Sequence, residues 1–208
     1  MKRKRQLSRF RNILLGPGVP LPRGLRGRAR SRELAMRYTL TARWLHWLTV
    51  AAVLVIGTLG LWIGWAPPDD EAFKLRLYNI HESIGILMLP LTAFRLFWRW
   101  THPPPPAVPQ PAPLQAAAWA SHALLYLMLL TMPVVGFLAT NAWGFPLRIF
   151  GLVPVPSPIG RDEALAPVLT SLHGWMALVL GLVVLIHASA ALVWHGAIRR
   201  DGTLRRML

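Results

Sequence analysis

Four apolar stretches, each long enough to cross a bilayer, carry five histidines among them. A helix needs about 20 residues to span the roughly 30 Å hydrocarbon core, and residues 44–65, 80–100, 119–139 and 169–194 meet that length. Inside lipid every backbone polar group must be paired, which leaves helices or closed barrels; apolar runs of this length predict helices. The expected fold is therefore all-α, an integral membrane four-helix bundle. Trp44, Trp47, Trp65, Trp98, Trp100, Trp119 and Trp194 fall at or near the predicted ends, where interfacial aromatic anchors belong. The connectors read as loops. Residues 66–79 hold Pro67, Pro68, Asp69, Asp70 and Glu71, residues 101–118 hold the run Pro103 to Pro106, and residues 140–168 are rich in Pro and Gly. Pro90 and Pro133 fall inside spans and are expected to kink them.

Composition matters here for its asymmetry. The net charge is +15 at 54% hydrophobic residues, and 13 of the 23 Lys and Arg lie in residues 1–43. A basic chain can bind nucleic acid, but there is no zinc pattern, no aromatic RNA-binding motif and no helix-turn-helix signature, so no nucleic-acid partner is expected. The expected partner is the lipid bilayer. The N-terminal arm, the end of span two and the C-terminal tail together carry 19 basic residues, against Lys74, Arg76, Arg148 and Arg161 on the other side. The positive-inside rule then places both termini in the cytoplasm. Residues 1–36 form a basic arm, with Glu33 as its one acidic residue, expected to be disordered and to lie near anionic lipid. Met36 opens a compact alternative start, MRYTLTARWLHW, so the arm also reads as an over-long start; a transit peptide is a third reading. Residues 37–208 form the membrane domain. The first apolar run begins late and has span length, so no cleavable signal peptide is expected. The absence of cysteine excludes disulfides, iron–sulfur clusters on cysteine ligands and covalently attached c-type haem.

An ionisable side chain in a membrane helix is costly and marks a functional candidate. His173 and His187 lie 14 residues apart on one apolar span, a spacing that returns to nearly the same face about 21 Å further along. In an alternating four-span topology His46, early in span one, shares the inner level with His187, late in span four. His81 and His173 begin spans two and four and share the outer level. Two imidazoles at each of two depths suit a six-coordinate haem iron with both axial positions filled, held without a covalent link. A single buried histidine is more often a hydrogen-bonded packing residue; four at matched depths on three helices favour ligation. Gly57, Gly60, Gly64, Gly85 and Gly181 would leave room for a flat macrocycle, or simply allow close helix packing. A zinc site would want closer ligands and an acidic residue or cysteine. His122 starts span three at about the inner depth and is the rival ligand there. His195, eight residues past His187 at the cytoplasmic edge, is a candidate proton donor to a quinone, although an interfacial histidine needs no function. His102, before the proline run, is expected to be solvated.

Five stretches, ARWLHW at 42–47, NIHESIG at 79–85, SHALLYLMLLTMPVVGF at 121–137, SLHGW at 171–175 and LIHASAALVWH at 185–195, resemble in order and spacing the bacterial cytochrome b-561 family. The resemblance covers the chain from about Arg37 to Leu208. It implies a four-helix inner-membrane protein with two b-type haems, in which His46, His81, His173 and His187 match the haem ligands and His122 does not. One class of the family moves electrons from periplasmic superoxide to ubiquinone. The long arm departs from the family pattern.

The leading expectation is transmembrane electron transfer: a small one-electron donor such as superoxide reduces the haem of His81 and His173, the electron passes to the haem of His46 and His187, and a quinone takes it at the cytoplasmic end. No protein partner is required. Lys74, Arg76, Arg148 and Arg161 are candidates to attract a small anion, opposed by Asp69, Asp70, Glu71, Asp162 and Glu163 on the same side. Arg43, Arg95 and Arg99 are candidates to pair with inner haem propionates, or simply obey the positive-inside rule. One alternative is a cytochrome b subunit anchoring a larger dehydrogenase or hydrogenase. An alternative of another class is a non-haem membrane protein whose histidines relay protons or bind metal.

Overall fold

The computed structural model describes residues 37–208, so the expected basic arm, residues 1–36, lies outside the described residues. Four long helices follow one another: α1 (Leu40–Trp65), α2 (Glu71–Thr101), α3 (Ala112–Ala142) and α4 (Leu165–Ser189), which runs on as a π-helical segment, Ala190–Ile198. All four, with the π segment counted in α4, are long and apolar enough to cross a membrane. Each start has a local cause. The Thr39 hydroxyl accepts from the Ala42 amide at 3.2 Å, and Asp70 accepts from the Phe73 amide at 2.9 Å, caps worth about 1 kcal/mol each. Pro111 precedes α3, which has a proline in its first turn, where the missing N–H is not needed. Asp162 accepts from the Ala164 and Leu165 amides at the head of α4.

The helices outrun the hydropathic spans. The connector expected over 66–79 is helical from Glu71, because Asp70 caps it and Lys74 pairs with Glu71 at 2.5 Å. The loop expected over 101–118 shrinks to the proline-rich stretch before Ala112. Pro90 and Pro133 lie inside α2 and α3. The third connector contains an antiparallel hairpin, β1 (Arg148–Ile149) with β2 (Val153–Pro154), Arg148 facing Pro154 and Ile149 facing Val153.

Helix α1 packs on α2, α2 on α3 and α3 on α4. Helix α4 lacks comparable backbone packing on α1 or α2; it reaches them through side chains. Two sets of ties hold the ends. At one end the C-terminal tail folds back: the Tyr38 amide donates to the Arg206 carbonyl at 3.2 Å and Trp47 Nε1 to the Met207 carbonyl at 2.9 Å. Arg206 and Arg199 donate to the carbonyls of Pro106 and Pro109. At the other end Asn79 and Ser83 of α2 bond the hairpin. The start of α1, the proline loop and the tail therefore share one end, and the start of α2 and the hairpin share the other. Trp44, Trp65, Trp100 and Trp119 project outward as expected of anchors, whereas Trp47 and Trp98 spend their N–H groups on Met207 and Thr39.

Candidate functional site

The gap between α4 and its two neighbours is bridged at two levels by histidine rings. His46 of α1 stands 6.4 Å from His187 of α4, and His81 of α2 stands 6.2 Å from His173 of α4, centroid to centroid. With a metal–nitrogen bond of about 2.0 Å and a ring centre about 1.2 Å behind the nitrogen, two imidazoles on opposite sides of one metal ion stand about 6.4 Å apart. Both pairs fit that spacing. His122 of α3 is 5.3 Å from His187, closer than two trans ligands stand. Among the described residues no group of three or more His, Cys, Asp or Glu is placed to share a metal, so the zinc alternative finds no donor set.

The outer pair sits in two similar seats. His81 Nδ1 lies 3.0 Å from the Ile56 carbonyl on α1. A carbonyl only accepts, so Nδ1 carries the proton and Nε2 keeps the lone pair that a metal needs. Four residues on from Ile56 is Gly60, where an added Cβ would come within 3.0 Å of the His81 ring. On α3 the His173 ring lies against Gly136, where a Cβ would come within 2.9 Å. Met132, four residues before Gly136, offers the neighbouring carbonyl, although His173 Nδ1 falls short of hydrogen-bond geometry there. Each glycine admits a ring to a helix backbone. Gly136 was not among the glycines singled out in the sequence. Of those that were, Gly60 touches a ring, whereas Gly57, Gly64, Gly85 and Gly181 meet no atom within 4 Å of an added Cβ.

The inner pair is differently dressed. Arg95 of α2 places Nη2 2.9 Å from His46 Nδ1 and its guanidinium 5.5 Å from the centre of the Tyr126 ring. Arginine only donates, so here His46 Nδ1 accepts. Arg95, Arg99, Tyr38, Tyr126 and His102 line a small cavity at that end. His102 is not simply solvated: it stacks on Trp98 at 3.9 Å.

Beyond the inner pair, the π-helical turn carries His195 to the tail. Its Nδ1 is 2.7 Å from Asp201 Oδ2, and Asp201 Oδ1 accepts from the Thr203 hydroxyl at 2.7 Å and amide at 3.0 Å. Partial burial opposes the charge of Asp201, but the hydrogen bonds from Thr203 and His195 outweigh it and hold the carboxyl down to about 2. A cavity of ≈ 310 Å³ opens here, lined by His195, Gly196, Arg200, Gly202, Leu204 and Arg205. Asp201 was missed in the sequence; its only signal was an acidic residue in a basic tail, six positions past His195. Glu82 was missed too, although it is the sole acidic residue well inside a span. It accepts from Thr140 of α3 at 2.8 Å.

The four cations at the hairpin end, Lys74, Arg76, Arg148 and Arg161, are mostly engaged. Lys74 pairs with Glu71 and Arg161 with Glu163. Arg148 folds onto the carbonyls of Gly151 and Leu152. Arg76 bonds only the Ala72 carbonyl of its own helix.

Together these features define a four-helix membrane protein with paired imidazoles at two depths. The profile of the family described as prokaryotic cytochrome b561 matches residues 37–208, and the chain belongs to that family. It is 34% identical to "Cytochrome b561 homolog 2" of Escherichia coli (strain K12), over 83% of this chain and 91% of that protein. It is 30% identical to "Probable superoxide oxidase CybB" of Yersinia pestis, over 83% and 96%. "Cytochrome b561 homolog 1" of Escherichia coli (strain K12) is 29% identical, over 83% and 97%. The protein is thus a multi-pass bacterial membrane protein that transfers electrons through b-type haem, which sets the non-haem alternative aside.

Proposed function

We propose that this chain is a free-standing inner-membrane wire with two b-type haems, one held by His81 and His173 near the periplasmic face and one by His46 and His187 near the cytoplasmic face. The supporting observation is the two imidazole pairs, 6.2 Å and 6.4 Å apart, on one shared helix. Bound haem supplies a one-electron iron couple at each level. The chain's own residues do the rest. The Ile56 carbonyl keeps the proton on His81 Nδ1 and so frees Nε2. Arg95, which donates to His46 Nδ1 at 2.9 Å, is the cation placed to pair with the carboxylates of a haem bound at this level, and releasing His46 would let its Nδ1 carry the proton. Were each pair of imidazoles to hold one iron, substrates would exchange electrons without binding metal.

At the periplasmic face each of two superoxide anions loses one electron and leaves as dioxygen. At the cytoplasmic end one ubiquinone takes both electrons and two protons. The relative described as a probable superoxide oxidase supports that donor. His195, oriented by Asp201 over the ≈ 310 Å³ cavity, is the residue placed to hand on a proton. The domain 37–208 suffices for this activity; residues 1–36 take no part.

Purified protein should contain two haem b per chain, be reduced by superoxide generated in solution, and be reoxidised by a short-chain ubiquinone. A single haem rejects the two-level scheme, and indifference to superoxide rejects the donor. Orientation has its own check. Both termini belong in the cytoplasm by the positive-inside rule, so a C-terminal fluorescent-protein fusion should fluoresce and a C-terminal alkaline phosphatase fusion should be inactive. The opposite pattern would exchange the inner and outer levels and reverse the direction of flow.

A further inference from the structure

We infer that the hairpin Arg148–Pro154 is a second membrane-contact element, whose apolar tip rests in the headgroup region of the lipid leaflet at the His81 end of the bundle. From Ala142 to Gly160 the sole charged side chain is Arg148. Phe150, Leu152 and Val153 are nevertheless 50%, 75% and 58% exposed, so half or more of each is left uncovered by the described residues.

The hairpin is fixed beside a span. The Phe150 amide donates to Ser83 Oγ at 2.7 Å, and Asn79 Nδ2 donates to the Arg148 carbonyl at 2.7 Å. Ser83 lies more than three turns into α2, two residues beyond His81. The hairpin therefore lies at the level of the span's end, continuous with surface already facing lipid. Tyr78 and Trp143, both exposed, flank it with the amphipathic rings favoured at that level.

Its hydrogen bonding fits the same surroundings. Water satisfies an exposed turn at no cost, whereas a turn whose tip approaches the hydrocarbon does better with its backbone groups paired internally. This turn leaves little for water to do. The Gly151 amide donates to the Arg148 carbonyl and the Leu152 amide to the Ile149 carbonyl. The carbonyls of Gly151 and Leu152 accept from the Arg148 guanidinium at 3.2 and 3.3 Å. The one charge of the segment thus serves its backbone, and the same fold turns Phe150 through a φ of 49°.

The chain has no cysteine, so a single spin label can be placed cleanly. Leu152→Cys and, separately, Val153→Cys, each labelled with a nitroxide, are reconstituted in vesicles of phosphatidylethanolamine and phosphatidylglycerol after their haem spectra are checked. Power saturation is read with oxygen, which concentrates in lipid, and with a water-soluble nickel chelate. The ratio of oxygen to nickel collisions should be several-fold higher at 152 or 153 than at Glu163→Cys, a control whose native side chain is 76% exposed beside Arg161. A ratio equal to the control places the tip in water and overturns the inference. Low collision with both reagents means that protein covers the tip, a second copy or another partner, and overturns it equally. Using two positions keeps the test standing should one variant fail to fold.

Discussion

His173→Ala protein should purify with half the haem of the parent and keep the absorption of the remaining site; His187→Ala should do the mirror image. The two residues share α4 but lie about 21 Å apart along it, and each faces a different partner helix. Under the proposed ligand scheme, losing one imidazole should release a non-covalent haem from that level and leave the other pair's seat untouched. His122→Ala should retain both haems, since its ring lies only 5.3 Å from His187 and so does not stand opposite it across a metal. Pyridine haemochrome counts and low-temperature spectra of the three variants read this directly. Loss of both haems in either α4 variant would mean that the levels fold as one unit. Haem loss in His122→Ala with retention in His46→Ala would transfer the inner ligand from α1 to α3.

The spans and their histidines were legible because neither depends on tertiary contact: hydropathy over about 20 residues and the cost of an ionisable group in lipid are properties of the stretch itself. Depth pairing needed only alternation of direction, and the structure brings together the two pairs so deduced. Helix ends were less legible. Glu71–Tyr78 looked like a loop because hydropathy marks where lipid ends and not where a capped helix ends; Asp70 and the Lys74–Glu71 pair carry α2 onward. Glycines split the same way. Gly60, Gly85 and Gly181 read alike as room for a macrocycle, yet the glycines that touch histidine rings are Gly60 and Gly136, each on a different helix from its ring. The cations at the hairpin end looked interchangeable in sequence. The structure pairs Lys74 and Arg161 with glutamates but bonds Arg148 and Arg76 only to neutral carbonyls, so any attraction of a small anion rests chiefly on those two arginines.

Asp201→Asn should slow reoxidation by ubiquinone by about 10²-fold, the usual contribution of a positioned proton donor, with His195→Gln at least as slow. The physical reason is the orientation of one ring. Asp201 accepts from His195 Nδ1 and so fixes the tautomer and leaves Nε2 as the ring nitrogen free to exchange a proton. An amide in its place keeps the shape but loses the negative charge and can present a donor to a donor. The carboxyl is held at about 2, below its ordinary range, so its stabilising charge is complete at neutral and mildly acidic pH and is lost only as pH falls toward that value. The Asp201→Asn defect should therefore be equally large at mildly acidic and mildly basic pH. Haem content and the rate of reduction by superoxide should match the parent, because the Asp201 side chain bonds His195, Thr203 and Arg199 and none of the paired histidines. Stopped-flow reduction followed by a quinone chase separates the two half-reactions. Normal reoxidation in both variants would remove the π-helical turn from the proton route. A matching loss in the superoxide half-reaction would show instead that the tail, tied to Tyr38 and Trp47, supports the whole bundle.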